Sequence, residues 1–272
     1  PQIPALAPNP VATPKAKACG RVIIEAFSPP RISPAKILNL FFIKFIINKL
    51  YDIIKLQRKG FMNKHIEHTL LKQDARLEDF IKLFDEANEH KFLGVCINPA
   101  YVKLAKKHLN ESKVVTVVGF PLGANRPDVK AFETSKAVQD GADEIDMVIN
   151  VTALKNKDYD YVVNDIKTVK EACKDKPLKV ILETDLLDKD EIKKACELCI
   201  EAKADFVKTS TGFVKNGVGA KAEDVKLMFD TVSPYGLKVK ASGGIRDKET
   251  ALKMLEAGAE RLGTSSGVKI IS

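Results

Sequence analysis

The 272-residue chain has no tryptophan, only four histidines and five cysteines, and each scarcity closes off a class of protein. The cysteines (Cys19, Cys96, Cys173, Cys196, Cys199) are odd in number and scattered, which excludes the dense disulfide framework of a small secreted domain and fits a reducing compartment. Cys196 and Cys199 form a single CxxC. No second CxxC and no matching histidine pair exists to complete four metal ligands, so they read as small residues on a helix face. His65, His68, His90 and His108 do not group as a triad or a metal set, and His68 reads as a hydrogen-bonded core residue. Cys96, in a strand-like run, reads as a small buried residue that lines a pocket, not as a nucleophile. No Gly-x-Gly-x-x-Gly follows the first strand-like run, which argues against a dinucleotide site. A membrane-spanning helix needs about 20 mostly uncharged apolar residues. The most apolar stretch, residues 37–56, is interrupted by Lys44, Lys49, Asp52 and Lys55, and reads as an amphipathic helix instead.

Acidic residues are scarce at one end only. Residues 1–60 hold ten Lys or Arg and two acids, whereas residues 61–272 hold 34 of each, so the net charge of +8 lies wholly in the N-terminal part. A basic nucleic-acid surface on the main body is therefore unsupported. Residues 1–60 divide from 61–272 as a basic extension, a Pro-, Ala- and Lys-rich tail plus the amphipathic helix, ahead of one large domain. An acid-poor basic leader also fits organelle targeting, which stands as the alternative to a cytoplasmic protein.

What is abundant is alternation. Strand-like runs fall at 65–71, 92–98, 113–120, 144–150, 178–184, 204–210, 237–242 and 261–265. Between them lie helical stretches at 76–89, 126–140, 159–173, 190–202, 222–231 and 248–256, with apolar spacing near 3.6 residues. Strand–helix alternation repeated eight times over about 210 residues predicts an α/β fold, a closed (β/α)8 TIM barrel, with the last helix short or missing.

Side chains alternate faces along a strand, so each barrel strand sends one set under the helices and the other into the lumen. Placing Ile145, Met147 and Ile149 under helices turns Glu144 and Asp146 inward. The same parity turns Lys179 and Glu183 inward in the fifth run, Phe206, Lys208 and Ser210 in the sixth, and Lys238, Lys240 and Ser242 in the seventh. An unpaired buried charge costs several kcal/mol, so charges on four adjacent strands predict a site. Lysine amines attack carbonyls only when neutral, and a second ammonium close by, here Lys240 beside Lys208, lowers the pKa that stands in the way. The Schiff base formed is an electron sink for breaking a C–C bond. Asp146 is the acid/base group available to move protons, directly or through a water. Ser242-Gly243-Gly244 after the seventh run and Gly263–Gly267 after the eighth sit where barrels hold phosphate, and Gly212 adds an amide.

The segments IEHTLL (66–71), GVCINP (94–99), VVGFPLGA (117–124), GADEIDMVIN (141–150), LKVILET (178–184), ADFVKTSTGF (204–213), VKASGGIR (239–246) and LGTSSGVKI (262–270) together resemble deoxyribose-phosphate aldolases, over roughly residues 65–270. The resemblance implies Lys208 as Schiff-base nucleophile, Lys240 as the lysine that lowers its pKa and relays protons, and Asp146 as general acid/base via water. It implies phosphate binding by Gly212, Gly243, Gly244, Ser265 and Ser266, with Lys179 and Glu67 in support. The reaction implied is reversible cleavage of 2-deoxy-D-ribose 5-phosphate to D-glyceraldehyde 3-phosphate and acetaldehyde, with no metal and no organic cofactor. It also implies deoxynucleoside catabolism, usually cytoplasmic, and a homodimer or homotetramer with no membrane span. Many relatives carry aspartate where Glu67 stands. Some end in a tail tyrosine that this sequence lacks, so turnover is expected to rely on an Asp146–water–Lys240 relay alone. The rival readings are a Schiff-base aldolase of another phosphorylated sugar and a catalytically inert sugar-phosphate-binding barrel.

Overall fold

The computed structural model describes residues 61–272. The expected N-terminal extension and its amphipathic helix (residues 1–60) lie outside the described residues. A single 3-10 turn, Met62–His65, leads into eight parallel strands: β1 Ile66–Leu70, β2 Gly94–Ile97, β3 Lys113–Val118, β4 Glu144–Val148, β5 Leu178–Ile181, β6 Phe206–Lys208, β7 Lys238–Ser242 and β8 Ala259–Thr264. Each pairs with the next, and β8 returns to β1 through Ile66↔Leu262 and Glu67↔Gly263, closing the barrel.

The helices that return the chain are α1 Leu77–His90, α2 Val102–His108, α3 Pro127–Gln139, α4 Val151–Lys155, α5 Tyr159–Ala172, α6 Lys189–Glu201, α7 Ala222–Val232, α8 Lys248–Glu256 and α9 Gly267–Ile271. Their starts are written locally. Asp158, Asp188 and Asp247 accept first-turn amides at the heads of α5, α6 and α8, and Pro127 opens α3 with its fixed φ. The short eighth helix expected from the sequence is α9. Among the described residues no helix is long and apolar enough to cross a membrane.

The main core lies between strands and helices. Ile145, Met147, Val180, Val207 and Val239 turn outward from the barrel and are buried with Phe80, Phe84, Ile166, Ile192 and Met228. Burial of each such side chain contributes about 1.5–3 kcal/mol. Cys196 and Cys199, on α6, belong to this layer, and burial pushes the Cys196 thiol up to about 12 and that of Cys199 well above the usual range. They are packing residues, as their spacing suggested. His68 is likewise buried, with Nε2 2.7 Å from Glu86 Oε2.

The opposite parity fills the lumen with charge, with two corrections. Lys238 begins its strand at the N-terminal mouth, where it is exposed and its Nζ lies 2.8 Å from Glu260 Oε1. Glu183 lies beyond β5, which ends at Ile181. Its backbone is left-handed (φ +61°) and its carboxylate accepts hydrogen bonds from the amide and hydroxyl of Thr211. At Glu183 the parity ceased to apply because β5 ends two residues earlier, whereas Lys238 keeps it, its Nζ 5.8 Å from the centre of the inward Phe206 ring, and is exposed because it stands at the open mouth.

Candidate active site

The lumen side chains come from seven strands and gather around Asp146. Lys208 Nζ, from β6, is 2.8 Å from Asp146 Oδ2, and Lys240 Nζ, from β7, is 2.6 Å from the same oxygen. Lys240 also donates to Glu67 of β1. Lys179 Nζ, from β5, stands 3.2 Å from Asp146 Oδ1, 2.5 Å from Glu144 Oε2 and 3.6 Å from Glu67 Oε1. Arg261 of β8 lies 3.9 Å from Glu67 Oε1. At the N-terminal end, Lys113 of β3 reaches Glu144 Oε1 at 2.5 Å. Thus three buried carboxylates interleave with three buried lysines. Removing one member strands the others, at a cost of about 3–5 kcal/mol for a buried pair.

The same arrangement sets protonation. Burial alone would raise the Asp146 carboxyl, but Lys179, Lys208 and Lys240 together hold it well below the usual range. Burial works against the Lys240 ammonium, yet Asp146 and Glu67 outweigh it and hold its pKa well above that of a free lysine. Lys179 is raised by Asp146 and Glu67 against the same burial penalty. Glu144 is brought down to about 2, where Lys179 and Lys113 overcome its desolvation. Lys240 is therefore a fixed cation beside Lys208, and the two are held on one carboxylate oxygen. Glu67, Cys96 and Asp146 bring potential ligand atoms within 4.8 Å of one another. Lys240 and Lys208 already occupy the space and satisfy the charge that a metal ion would take there.

Above Lys208 opens a cavity of about 300 Å³ at the C-terminal end of the barrel. Lys208 lines it, whereas Asp146, Lys240, Lys179 and Glu67 lie beneath it, fully buried. Its far wall is the glycine-rich rim expected for phosphate. Gly212, Gly243, Gly244 and Ser265 line it, and none of their amides donates to another backbone group among the described residues. Gly244 has φ +74°, and a Cβ there would stand 2.5 Å from Val218 O, so only glycine lets the two loops close on each other. Ser266 is one residue removed from the lining, and its amide donates to Thr264 Oγ1.

Two cations on the rim, Lys72 and Arg246, escaped the sequence reading. Both lie next to or within quoted motifs, but what distinguishes them is tertiary: they line the cavity and form no salt bridge among the described residues. Glu144 was read as inward-facing but not as part of the site.

Comparison with known proteins places the chain in a family. The family described as "DeoC/LacD family aldolase" matches residues 60–272. The deoxyribose-phosphate aldolase of Finegoldia magna is 58% identical over 212 residues, covering 77% of this chain and 98% of that protein. That of Thermococcus kodakarensis is 56% identical over 214 residues, 76% of this chain and 94% of its own. Among solved structures, "QR15, an Aldolase" superposes with a TM-score of 0.74 at 45% identity, over 77% of this chain and 94% of that one. Deoxyribose phosphate aldolase from Aeropyrum pernix, described as tetrameric, superposes with a TM-score of 0.74 at 32% identity, over 80% of this chain and 93% of that one.

Proposed function

Because the chain belongs to the DeoC/LacD aldolase family, we propose that it is a deoxyribose-phosphate aldolase, cleaving 2-deoxy-D-ribose 5-phosphate reversibly to D-glyceraldehyde 3-phosphate and acetaldehyde through a Schiff base on Lys208. The observation that carries the reading is the sharing of Asp146 by Lys208 and Lys240 beneath a cavity whose rim holds glycine amides and two cations with no salt bridge among the described residues.

The chemistry follows from that placement. The Lys208 amine adds to C1 of the open-chain sugar, and loss of water leaves a protonated imine. The C3 hydroxyl gives up its proton to Asp146 through a water, since Asp146 lies below the cavity floor. The C2–C3 bond then breaks. Its electron pair moves into the imine to form an enamine, and C3 becomes the aldehyde carbon of glyceraldehyde 3-phosphate. The enamine takes a proton at C2 from the Asp146–Lys240 relay, and water hydrolyses the imine, releasing acetaldehyde and the Lys208 amine. Lys179 and Glu67 hold Asp146 and Lys240 in place from below. The phosphate meets the amides of Gly212, Gly243, Gly244 and Ser265, with Arg246 and Lys72 supplying charge and Ser266 supporting the loop. No step requires a metal or an organic cofactor.

Self-association as a homodimer or homotetramer and a place in deoxynucleoside breakdown in the cytoplasm complete the proposal. The direct test is product stoichiometry. The protein should release one acetaldehyde for each glyceraldehyde 3-phosphate, at a rate unchanged by prior dialysis against a chelator. A folded protein that releases neither product would end the reading.

A further inference from the structure

Hydroxyl groups around the cavity differ in one respect. Thr69 donates to Glu67 O at 2.9 Å, Thr264 to Ile245 O at 2.7 Å and Ser242 to Ser210 O at 2.6 Å, while Thr211 is held by Glu183. Each is committed within the protein, and another, Ser265, is exposed to solvent. Ser210 lines the same cavity, and its hydroxyl is buried with no hydrogen-bond partner among the described residues. A buried hydroxyl without a partner destabilises a fold and marks a site whose partner comes from outside.

Its position identifies that partner. Ser210 follows Lys208 by two residues, about 6–7 Å along an extended chain towards the cavity mouth. It also abuts the glycine rim, since a Cβ placed on Gly243 would stand 3.4 Å from Ser210 Cβ. The residue therefore lies between the amine that takes C1 and the loop that takes the phosphate on C5. Two hydroxyls of the bound sugar fall in that interval. The C3 hydroxyl loses its proton during cleavage and belongs to the Asp146 side. The C4 hydroxyl takes no part in bond breaking and lies next to the phosphate-bearing carbon.

Resting on the function proposed above, we infer that the Ser210 hydroxyl hydrogen-bonds the C4 hydroxyl of the sugar, and so selects an acceptor aldehyde that carries a hydroxyl next to its carbonyl. A site that hydrogen-bonds a substrate hydroxyl discriminates against the analogue without it, because the protein group is then left unpaired. Ser210 is a binding residue in this account and takes no part in proton transfer.

The experiment runs the reaction in the condensing direction, with acetaldehyde as donor and two acceptors. One is D-glyceraldehyde 3-phosphate. The other is 3-phosphooxypropanal, which lacks only the hydroxyl in question. Wild type should prefer the natural acceptor by roughly tenfold or more in kcat/KM. Ser210→Ala should lose about that factor on glyceraldehyde 3-phosphate and little on the analogue, so the preference collapses. Its thermal midpoint should be unchanged or raised, since an unpaired hydroxyl is removed. Equal loss on both acceptors, or no loss on either, overturns the inference. Inhibition by inorganic phosphate should be the same in both proteins. A weaker inhibition of Ser210→Ala would make Ser210 a phosphate ligand and overturn it as well. If wild type condenses neither acceptor, the proposed function itself fails, an outcome separate from the two above.

Discussion

Lys208 and Lys240 donate to the same oxygen of Asp146, from neighbouring strands and at 2.8 and 2.6 Å. A carboxylate shared in this way ties the nucleophile, the fixed cation and the proton carrier into one unit. Replacing Lys240 by leucine should lower kcat by about 10²–10⁴-fold, the span of acid–base contributions. It should also cost about 3–5 kcal/mol of stability, because Glu67 and Asp146 lose their partner. Steady-state kinetics and urea unfolding check the two together. A variant that keeps wild-type kcat would remove Lys240 from the mechanism.

Charge beneath Asp146 should be readable in the pH profile. Lys179 is the largest of the cationic influences that hold the Asp146 carboxyl down. Lys179→Met removes it, lets that carboxyl titrate higher, and should move the acid limb of kcat/KM up by roughly 0.5–1 pH unit. Glu144→Gln removes the opposite charge and should move the limb the other way. The double variant should return it close to wild type. Shifts of the same sign in both single variants would show that packing, and not charge, sets the profile.

Acid stability offers a separate check. The Glu144 carboxyl lies at about 2 in the folded protein, below its ordinary 4.5. A carboxyl depressed on folding stabilises the protein above its unfolded pKa, and that contribution is lost as pH falls through the folded value. The window is therefore about pH 4.5 down to 2, and the contribution is about 3 kcal/mol. Unfolding by urea at pH 6, 4 and 3 should show Glu144→Gln losing less stability across this window than wild type. Parallel curves would contradict the assignment.

The rim cations should act on binding. Arg246→Ala and Lys72→Ala should each raise KM about 10–100-fold with kcat changed far less, the range of one charge-assisted hydrogen bond. Inhibition by inorganic phosphate should weaken in parallel. An unchanged KM in both variants would place the phosphate elsewhere.

The barrel was legible because its strands repeat one physical rule. Asp146, Lys179, Lys208 and Lys240 each share a parity with inward neighbours, and charge on that parity is conspicuous in a strand whose other face is Ile, Val or Leu. The rule failed at Glu183, where the strand had already ended, and it could not tell that Lys238 stands at the open mouth. Helix α2 was missed because it spans only seven residues, has no side-chain cap, and carries Lys103, Lys106, Lys107 and His108 around a narrow apolar face. Lys72 and Arg246 could not be singled out in advance, and Ser210 was placed inward but given no role. What marks them is the absence of a partner among the described residues, which exists only once the loops are folded against one another.

The central claim is covalent capture at Lys208. Borohydride reduction in the presence of 2-deoxyribose 5-phosphate, followed by peptide mass spectrometry, tests it most directly. The account predicts a substrate-dependent adduct on Lys208 that is absent from Lys208→Leu. No adduct from the folded protein, or an adduct on Lys240 alone, would contradict it.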